Sequence, residues 1–176
     1  MKRLILLFCI VIMLIGISEK YKEDYYIIPN ESIRIRIIPN SNSIEDQFLK
    51  KEVKNTLELE IENDLKQSKT IESSRKILKN NIDKYRQSLK RILEEKNTKI
   101  DYSIDYGKHY FPEKTYKKVK YKKGYYESLL ITLGKGEGSN WWCILFPPIC
   151  AVETKEKLNE IEYTSYVKEL FEKYLK

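Results

Sequence analysis

An apolar residue at every fourth position between residues 49 and 65 constrains the fold more than any other feature of this sequence. The five residues with this spacing are Leu49, Val53, Leu57, Ile61 and Leu65. Residues four apart lie on one face of an α-helix, so the spacing predicts a helix with a single apolar stripe. Ser43 is placed to cap its first turn, and Asp46, three residues later, resembles the second half of a capping box.

Two further helices are predicted. The first runs from about residue 71 to residue 96, and its stripe consists of Ile71, Leu78, Ile82, Tyr85, Leu89 and Ile92. Because only a short polar stretch separates it from the helix before it, the two should form an antiparallel hairpin with both stripes in the core. The second covers residues 164–176, with a stripe of Val167, Leu170, Phe171, Tyr174 and Leu175.

The strand patterns complete the fold prediction. Isoleucines at positions 33, 35 and 37 alternate with Arg34 and Arg36, which predicts a half-buried strand. Residues 100–106 alternate in the same way, and residues 119–121 and 140–146 indicate two shorter strands. Residues 125–133 are largely apolar on both faces, which favours a central strand. We therefore predict an α+β fold, in which a mainly antiparallel sheet packs against a two-helix hairpin and a C-terminal helix.

The first 18 residues have the layout of a secretory signal peptide. A Lys–Arg pair precedes an unbroken apolar run over residues 4–15, and small residues stand at positions 16 and 18, where signal peptidase needs them. The run is shorter than the roughly 20 residues that span a bilayer, so an uncleaved leader would be only a loose membrane anchor. A buried N-terminal helix is the alternative.

The chain after the leader is predicted to consist of a spacer and one domain. Residues 19–31 are polar and rich in tyrosine, which predicts a spacer, and residues 32–176 are predicted to form a single domain. The formal charge of +7 would suit nucleic acid, anionic lipid or an anionic wall polymer. The lysines are mixed with acids along the whole chain, however, and we expect even the lysine-rich stretch at 114–123 to be an ordinary solvated face, with no nucleic acid bound.

Two cysteines remain once the leader is removed. Cys143 and Cys150 flank a segment with Pro147 and Pro148 near its centre. A turn at these prolines would bring the two sulfurs within disulfide range, and an exported protein meets an oxidising environment. Two separately buried thiols are the alternative.

Residue types that carry catalysis are sparse. His109 is the one histidine, and it follows a glycine in a predicted turn. Cys143 has apolar neighbours, which would raise its pKa and blunt its reactivity. The glycine-rich stretch at 134–138 lacks the spacing of a phosphate-binding loop and is expected to be a mobile connector. The sequence predicts no catalytic, cofactor-binding or metal-binding residues, and hence no enzyme.

Aromatic residues give a stronger indication of function. The chain has 14 Tyr and 2 Trp, and Trp141 and Trp142 are adjacent on a predicted strand. Neighbours on a strand point to opposite faces, so one ring can fill the core while the other stands outside. Exposed aromatic rings are typical of protein interfaces. The alternative is that both rings are covered, the second by the C-terminal helix.

Two blocks of this sequence resemble the stage II sporulation protein R family. The first, residues 33–50, ends a strand in Pro-Asn-Ser-Asn-Ser and opens a helix with Ile-Glu-Asp-Gln. The second, residues 107–150, contains Gly-Lys-His-Tyr-Phe-Pro, Gly-Tyr-Tyr-Glu and Asn-Trp-Trp-Cys-Ile-Leu-Phe-Pro-Pro-Ile-Cys. The similarity covers about residues 32–153. Pro39 and Asn42 depart from the family pattern, in which Ala and Asp are common.

This resemblance implies an exported signalling protein of sporulation. Such a protein is made in the forespore and exported into the space between the two membranes of the sporulating cell, either secreted or membrane-anchored. Its implied partner is a membrane-embedded aspartic protease of the mother cell, which processes the precursor of the mother-cell sigma factor. The implied role is binding, with contact to a membrane only through an uncleaved leader.

Candidate receptor-contact residues follow from the two blocks. They are Asn40, Ser41, Asp46, Tyr110, Phe111, Trp141 and Trp142. Two other functions remain open on the sequence. One is an exported basic module that binds an anionic cell-wall polymer, and the other is a thiol-dependent enzyme centred on Cys143.

Overall fold

The structure is a computed structural model that describes residues 25–150 and 159–175. In chain order the elements are β1 (Tyr26–Ile27), β2 (Ile33–Ile38), α1 (Ile44–Leu65), α2 (Ile71–Asn80), α3 (Ile82–Glu95), β3 (Tyr102–Phe111), β4 (Lys114–Tyr116), β5 (Val119–Tyr121), β6 (Gly124–Leu133), β7 (Trp141–Phe146) and α4 (Glu160–Tyr174). The predicted leader, residues 1–18, lies outside the described residues. Within the described ranges, no helix combines the length and the apolar content that a membrane span requires.

Four strands form the main sheet in the order β3–β6–β2–β7. β3 runs antiparallel to β6, and β7 runs antiparallel to β2. β2 and β6 are parallel to each other, which requires a long crossover connection, and here that connection contains helices α1, α2 and α3 and strands β3, β4 and β5. The predicted α+β class and the mainly antiparallel sheet are confirmed, and β6 is a central strand as expected.

Helices α1, α2 and α3 cover one face of this sheet. The whole predicted stripe of α1 is buried, from Leu49 to Leu65. The helix predicted over residues 71–96 is interrupted at Asn81. The N–H of Asn81 donates to the carbonyls of Ile77 and Leu78, and α3 begins at the next residue. Asn is a poor residue for a helix interior, since its side chain competes for backbone hydrogen bonds.

A second layer covers part of the opposite face. It consists of a small sheet in the order β1–β5–β4 and of α4, whose Val167 and Phe171 are buried. The segment predicted as a spacer contributes β1, and Ile28 beside it is buried. The N–H of Tyr26 donates to the carbonyl of Lys118 at 2.9 Å, so β1 extends the sheet formed by β4 and β5.

Candidate interaction site

The turn after β2 and the glycine-rich loop before β7 are joined by hydrogen bonds. The N–H of Lys135 donates to the side-chain oxygen of Asn40 at 3.1 Å, and the N–H of Gly138 donates to the carbonyl of Pro39, also at 3.1 Å. The stretch at 134–138 was expected to be a mobile connector. It is instead fixed to the turn, because its backbone donors meet acceptors that lie far away in the sequence.

Glycine allows this close approach of the two loops. Gly134 has φ +58°, a left-handed conformation that side chains disfavour. A Cβ atom on Gly138 would collide with the carbonyl oxygen of Ser41. Gly134 and Gly138, which lie in the stretch compared above with a phosphate-binding loop, are therefore needed for the close packing of this loop on the turn after β2.

Asp46 organises the other side of the turn. Its carboxylate accepts a hydrogen bond from the Ser41 hydroxyl at 2.6 Å and one from the Asn40 amide at 2.9 Å. The N–H of Asp46 donates to the Ser43 hydroxyl at 3.1 Å, so Ser43 is the N-cap of α1 as predicted. The three candidates in this turn are thus brought together, with their polar groups engaged within the fold.

Acid should weaken this turn. The hydrogen bonds from Ser41 and Asn40 hold the pKa of the Asp46 carboxyl below its usual value near 3.8. A folded-state pKa below the unfolded one contributes stability above the unfolded pKa, and this contribution is lost as the pH falls through the folded value. Below pH ~4, we expect the free energy of unfolding to fall less steeply with decreasing pH in Asp46→Asn than in the wild type. Urea unfolding across a pH series measures this difference. The same loss of unfolding free energy at acidic pH in the variant and in the wild type would contradict this role of Asp46.

Arg34 lies fully buried in an aromatic cage formed by Phe111, Tyr126 and Trp142. Its guanidinium carbon is 3.4 Å from the centre of the Tyr126 ring and 5.1 Å and 5.2 Å from those of Phe111 and Trp142. Burial lowers the pKa of Arg34 to about 10, which leaves it charged at neutral pH. The cation is therefore stabilised chiefly by the faces of the aromatic rings, where the π electrons carry partial negative charge.

The prediction that β2 is a half-buried strand is wrong at Arg34, which is fully buried. Alternation places Arg34 on the sheet face opposite Ile33 and Ile35, as the sequence indicated. That face is covered at this point by the second layer, so Arg34 is as buried as the two isoleucines. Arg36 is partly exposed and donates to the carbonyl of Tyr110 at 3.1 Å.

The aromatic candidates have different environments. Phe111 is fully buried in the cage, and Trp142 is half buried between Phe111 and Tyr121, with ring centres 5.4 Å and 5.1 Å away. Trp141 points to the helix-covered face, where Lys54 Nζ lies 5.3 Å from the centre of its ring. The small sheet, rather than the C-terminal helix alone, supplies the cover for the second tryptophan.

Tyr110 is the most exposed of the aromatic candidates. It is 47% exposed and packs edge to face on Tyr125, which is 73% exposed. The strand register places this pair at the start of β6, whereas the Asn40 turn follows the end of the parallel strand β2. The two tryptophans pair with Arg36 and Ile37 of β2, between these positions, so the seven candidates do not form one patch.

A second exposed apolar pair was not predicted. Ile44 and Phe48 stand on the first turns of α1 and are 84% and 53% exposed. They line a cavity of about 380 Å³ together with Leu49, Lys96 and Thr98. Their four-residue spacing, offset from the buried stripe of α1, was the signal in the sequence that could have revealed them.

His109 joins Ser128 and Asp105 across the sheet. Its Nδ1 lies 2.7 Å from the Ser128 hydroxyl and its Nε2 lies 2.8 Å from the Asp105 carboxylate. These are the residue types of a hydrolytic triad, but Ser128 is fully buried whereas the Asp105 side chain is 68% exposed. A nucleophile needs access to substrate, so we interpret the contacts as anchors for the His109 ring.

Cys143 and Cys150 are joined by a disulfide, with their Cα atoms 5.8 Å apart. Both residues are buried, and Pro147 and Pro148 lie in the turn between them. Elsewhere in the described chain, no group of three or more His, Cys, Asp or Glu side chains is arranged to hold a metal ion.

Comparisons with known proteins give a consistent result. A family model described as stage II sporulation protein R matches residues 29–156. A curated protein of Bacillus subtilis (strain 168), Stage II sporulation protein R, is 36% identical over 136 residues, which cover 77% of this chain and 61% of that relative. The chain thus spans less than two thirds of the relative's length. No solved structure matches it.

Proposed function

Because the chain belongs to the stage II sporulation protein R family, and so has a role in sporulation, we propose that it is an exported signalling protein. It is made in the forespore and crosses into the space between the two membranes of the sporulating cell. There it activates a membrane-embedded aspartic protease of the mother cell, which then cleaves the sigma factor precursor. The family match over residues 29–156, which includes β2 to β7, carries this proposal.

The proposed activity is binding rather than catalysis. A ligand activates a receptor only by binding its active state more tightly than its inactive state. The exposed aromatic pair of Tyr110 and Tyr125 and the apolar pair of Ile44 and Phe48 offer the kind of surface that protein partners bury. The polar groups of Asn40, Ser41 and Asp46 already bind one another, so that turn would contribute mainly its shape.

Co-production in a bacterium that does not sporulate tests the proposal. The full chain, the protease and the sigma factor precursor are produced together, and shortening of the precursor is followed by gel mobility. We expect cleavage only when the chain and the protease are both present. A chain lacking residues 2–18 is the matched control, and it should be inactive because it is not exported.

Two results would contradict this function. Cleavage that proceeds equally well without the chain would show that the protease needs no such activator. Activity of the leaderless control at the wild-type level would show that export is unnecessary.

Two lysines beside the exposed ring of Tyr116 in the β4–β5 hairpin favour one alternative, an exported module for an anionic cell-wall polymer. Lys114 and Lys117 lie 5.8 Å and 5.4 Å from the centre of the Tyr116 ring, an arrangement that suits a sugar bearing negative charge. Wall fragments should then bind the chain at low salt and dissociate at a few tenths molar salt. Sedimentation with purified walls measures this, and absence of binding at low salt excludes it.

A further inference from the structure

β3 is a long edge strand with an open side. It pairs with β6 along its whole length, Tyr102–Phe111, without a register shift. The strand order β3–β6–β2–β7 leaves its other side without a partner strand in the described chain. Proteins usually shorten, bulge or cover such an edge, because its unpaired backbone groups are a template for another strand.

The backbone groups that face outwards can be assigned from the register. The N–H of Gly134 donates to the carbonyl of Asp101 at 2.6 Å, and this pair continues the β3–β6 register. Hydrogen-bonded pairs alternate along antiparallel strands, so Ser103, Asp105 and Gly107 also bond to β6. The outward groups are therefore those of the intervening residues Tyr102, Ile104, Tyr106 and Lys108.

The edge is held in position before any partner arrives. The Tyr106 hydroxyl donates to the Glu127 carboxylate at 2.8 Å, and Arg75 binds the same carboxylate through two hydrogen bonds of 2.6 Å and 2.8 Å. These contacts link β3 to β6 and to α2. A rigid edge loses little conformational entropy when a second strand binds to it.

The two faces of β3 differ in chemistry. On the helix-covered face, Tyr102, Ile104 and Tyr106 are half buried and carry the apolar core out to the edge. On the other face, Asp101 and Asp105 are exposed, in a chain whose formal charge is +7. A strand that pairs here would meet apolar side chains on one face and carboxylates on the other.

We propose that β3 binds an extended segment of a partner protein by strand addition. The segment alternates apolar side chains, which continue the helix-side core, with at least one Lys or Arg opposite Asp105. Backbone hydrogen bonds would supply the affinity and the alternate side chains the specificity. The proposal rests on the proposed function, since we assign the segment to the membrane-embedded protease.

Lys108 provides a selective test. Lys108→Pro removes an outward N–H and leaves the hydrogen bonds to β6 in place, and edge strands tolerate proline at such positions. The preceding residue is Gly107, which has no Cβ to clash with the proline ring. Lys108→Ala is the matched control, because it removes the side chain and keeps the N–H.

The full chain carrying each substitution is compared in the precursor-cleavage assay. We expect the proline variant to need about tenfold more protein for half-maximal activation, equivalent to about 1.4 kcal/mol of binding free energy, and the alanine variant to stay within about twofold. Thermal unfolding of both variants shows whether the fold is intact. Equal potency of a folded proline variant and the wild type would overturn strand addition while the signalling function stands.

Amide hydrogen exchange on the wild-type chain gives a second readout that needs no variant. Membranes bearing the protease should slow exchange at Tyr102, Ile104, Tyr106 and Lys108, compared with membranes that lack it. Wild-type chain that neither binds nor activates the protease would overturn both proposals. Protection that needs no protease and grows with chain concentration would assign the edge to a second copy of this chain and overturn the assignment to the protease.

Discussion

An Arg34→Ala variant should lose about 3–5 kcal/mol of unfolding free energy. The substitution removes a large, fully buried side chain from the centre of the aromatic cage and leaves a cavity among Phe111, Tyr126 and Trp142. It also removes the attraction between the cation and the Tyr126 ring, which is worth about 2 kcal/mol when desolvated. Urea unfolding of the variant and the wild type measures the difference.

Arg34→Met separates packing from charge. Methionine restores most of the volume, and it avoids the cost of burying a cation that forms no salt bridge with the described acids. We expect this variant to lie within about 2 kcal/mol of the wild type. Equal and large losses for alanine and methionine would show that the charge, rather than the volume, holds the cage together.

Removal of the disulfide should cost about 2–3 kcal/mol of unfolding free energy. Cys143 and Cys150 close a short loop, with a sequence separation of 7, so the expected restriction of the unfolded chain is at the lower end of the usual range. The double variant Cys143→Ala with Cys150→Ala tests this by urea unfolding. The lost packing of two buried side chains adds to the expected decrease.

Reductant provides the control for this experiment. It should destabilise the wild type and leave the double alanine variant unchanged, because only the wild type has a bond to break. Wild-type protein that is insensitive to reductant, with Cys143 and Cys150 identified as free thiols by mass spectrometry, would support the other interpretation of the sequence, two separately buried cysteines.

The longer elements of the fold follow from local patterns and were predicted from the sequence, whereas the short strands β1 and β4 were not, and the helix predicted over residues 71–96 is divided at Asn81. The four-residue spacing from Leu49 to Leu65 is a property of one helix, so the pattern alone identifies the buried face of α1. The double-sided apolar character of residues 125–133 similarly indicated the central position of β6. Both predictions needed no knowledge of the rest of the chain.

Contacts between distant segments could not be predicted in this way. Alternation shows that Arg34 and Ile35 face opposite sides of the sheet, but it does not show that a second layer covers the arginine. The glycine content of residues 134–138 suggested a mobile loop. The acceptors that fix this loop lie in the turn at Asn40, and the side chain of Asn40 that accepts from the N–H of Lys135 is 95 residues earlier in the sequence. The register that sets His109 against Ser128 is likewise a product of strand pairing.

The candidate site was predicted only in part for the same reason. The aromatic motifs identified Tyr110, Phe111 and both tryptophans, but their burial depends on which strands and helices pack over them. Phe111 and Tyr110 are neighbours in sequence, and one is fully buried while the other is exposed. The exposed edge of β3 is a property of the strand order, which no single segment of the chain encodes.

The position of β2 has a consequence for how this protein reaches its folded state. Ile33 of β2 pairs with Glu127 and with Phe146, so its hydrogen-bonding partners are synthesised long after it. If the chain is exported from its N-terminus as proposed, β2 must remain unpaired until β6 has emerged, and the sheet is complete only when residue 146 has followed. Under that proposal, closure of the sheet on the far side of the membrane would oppose backward sliding, so that folding would favour completed transport over return.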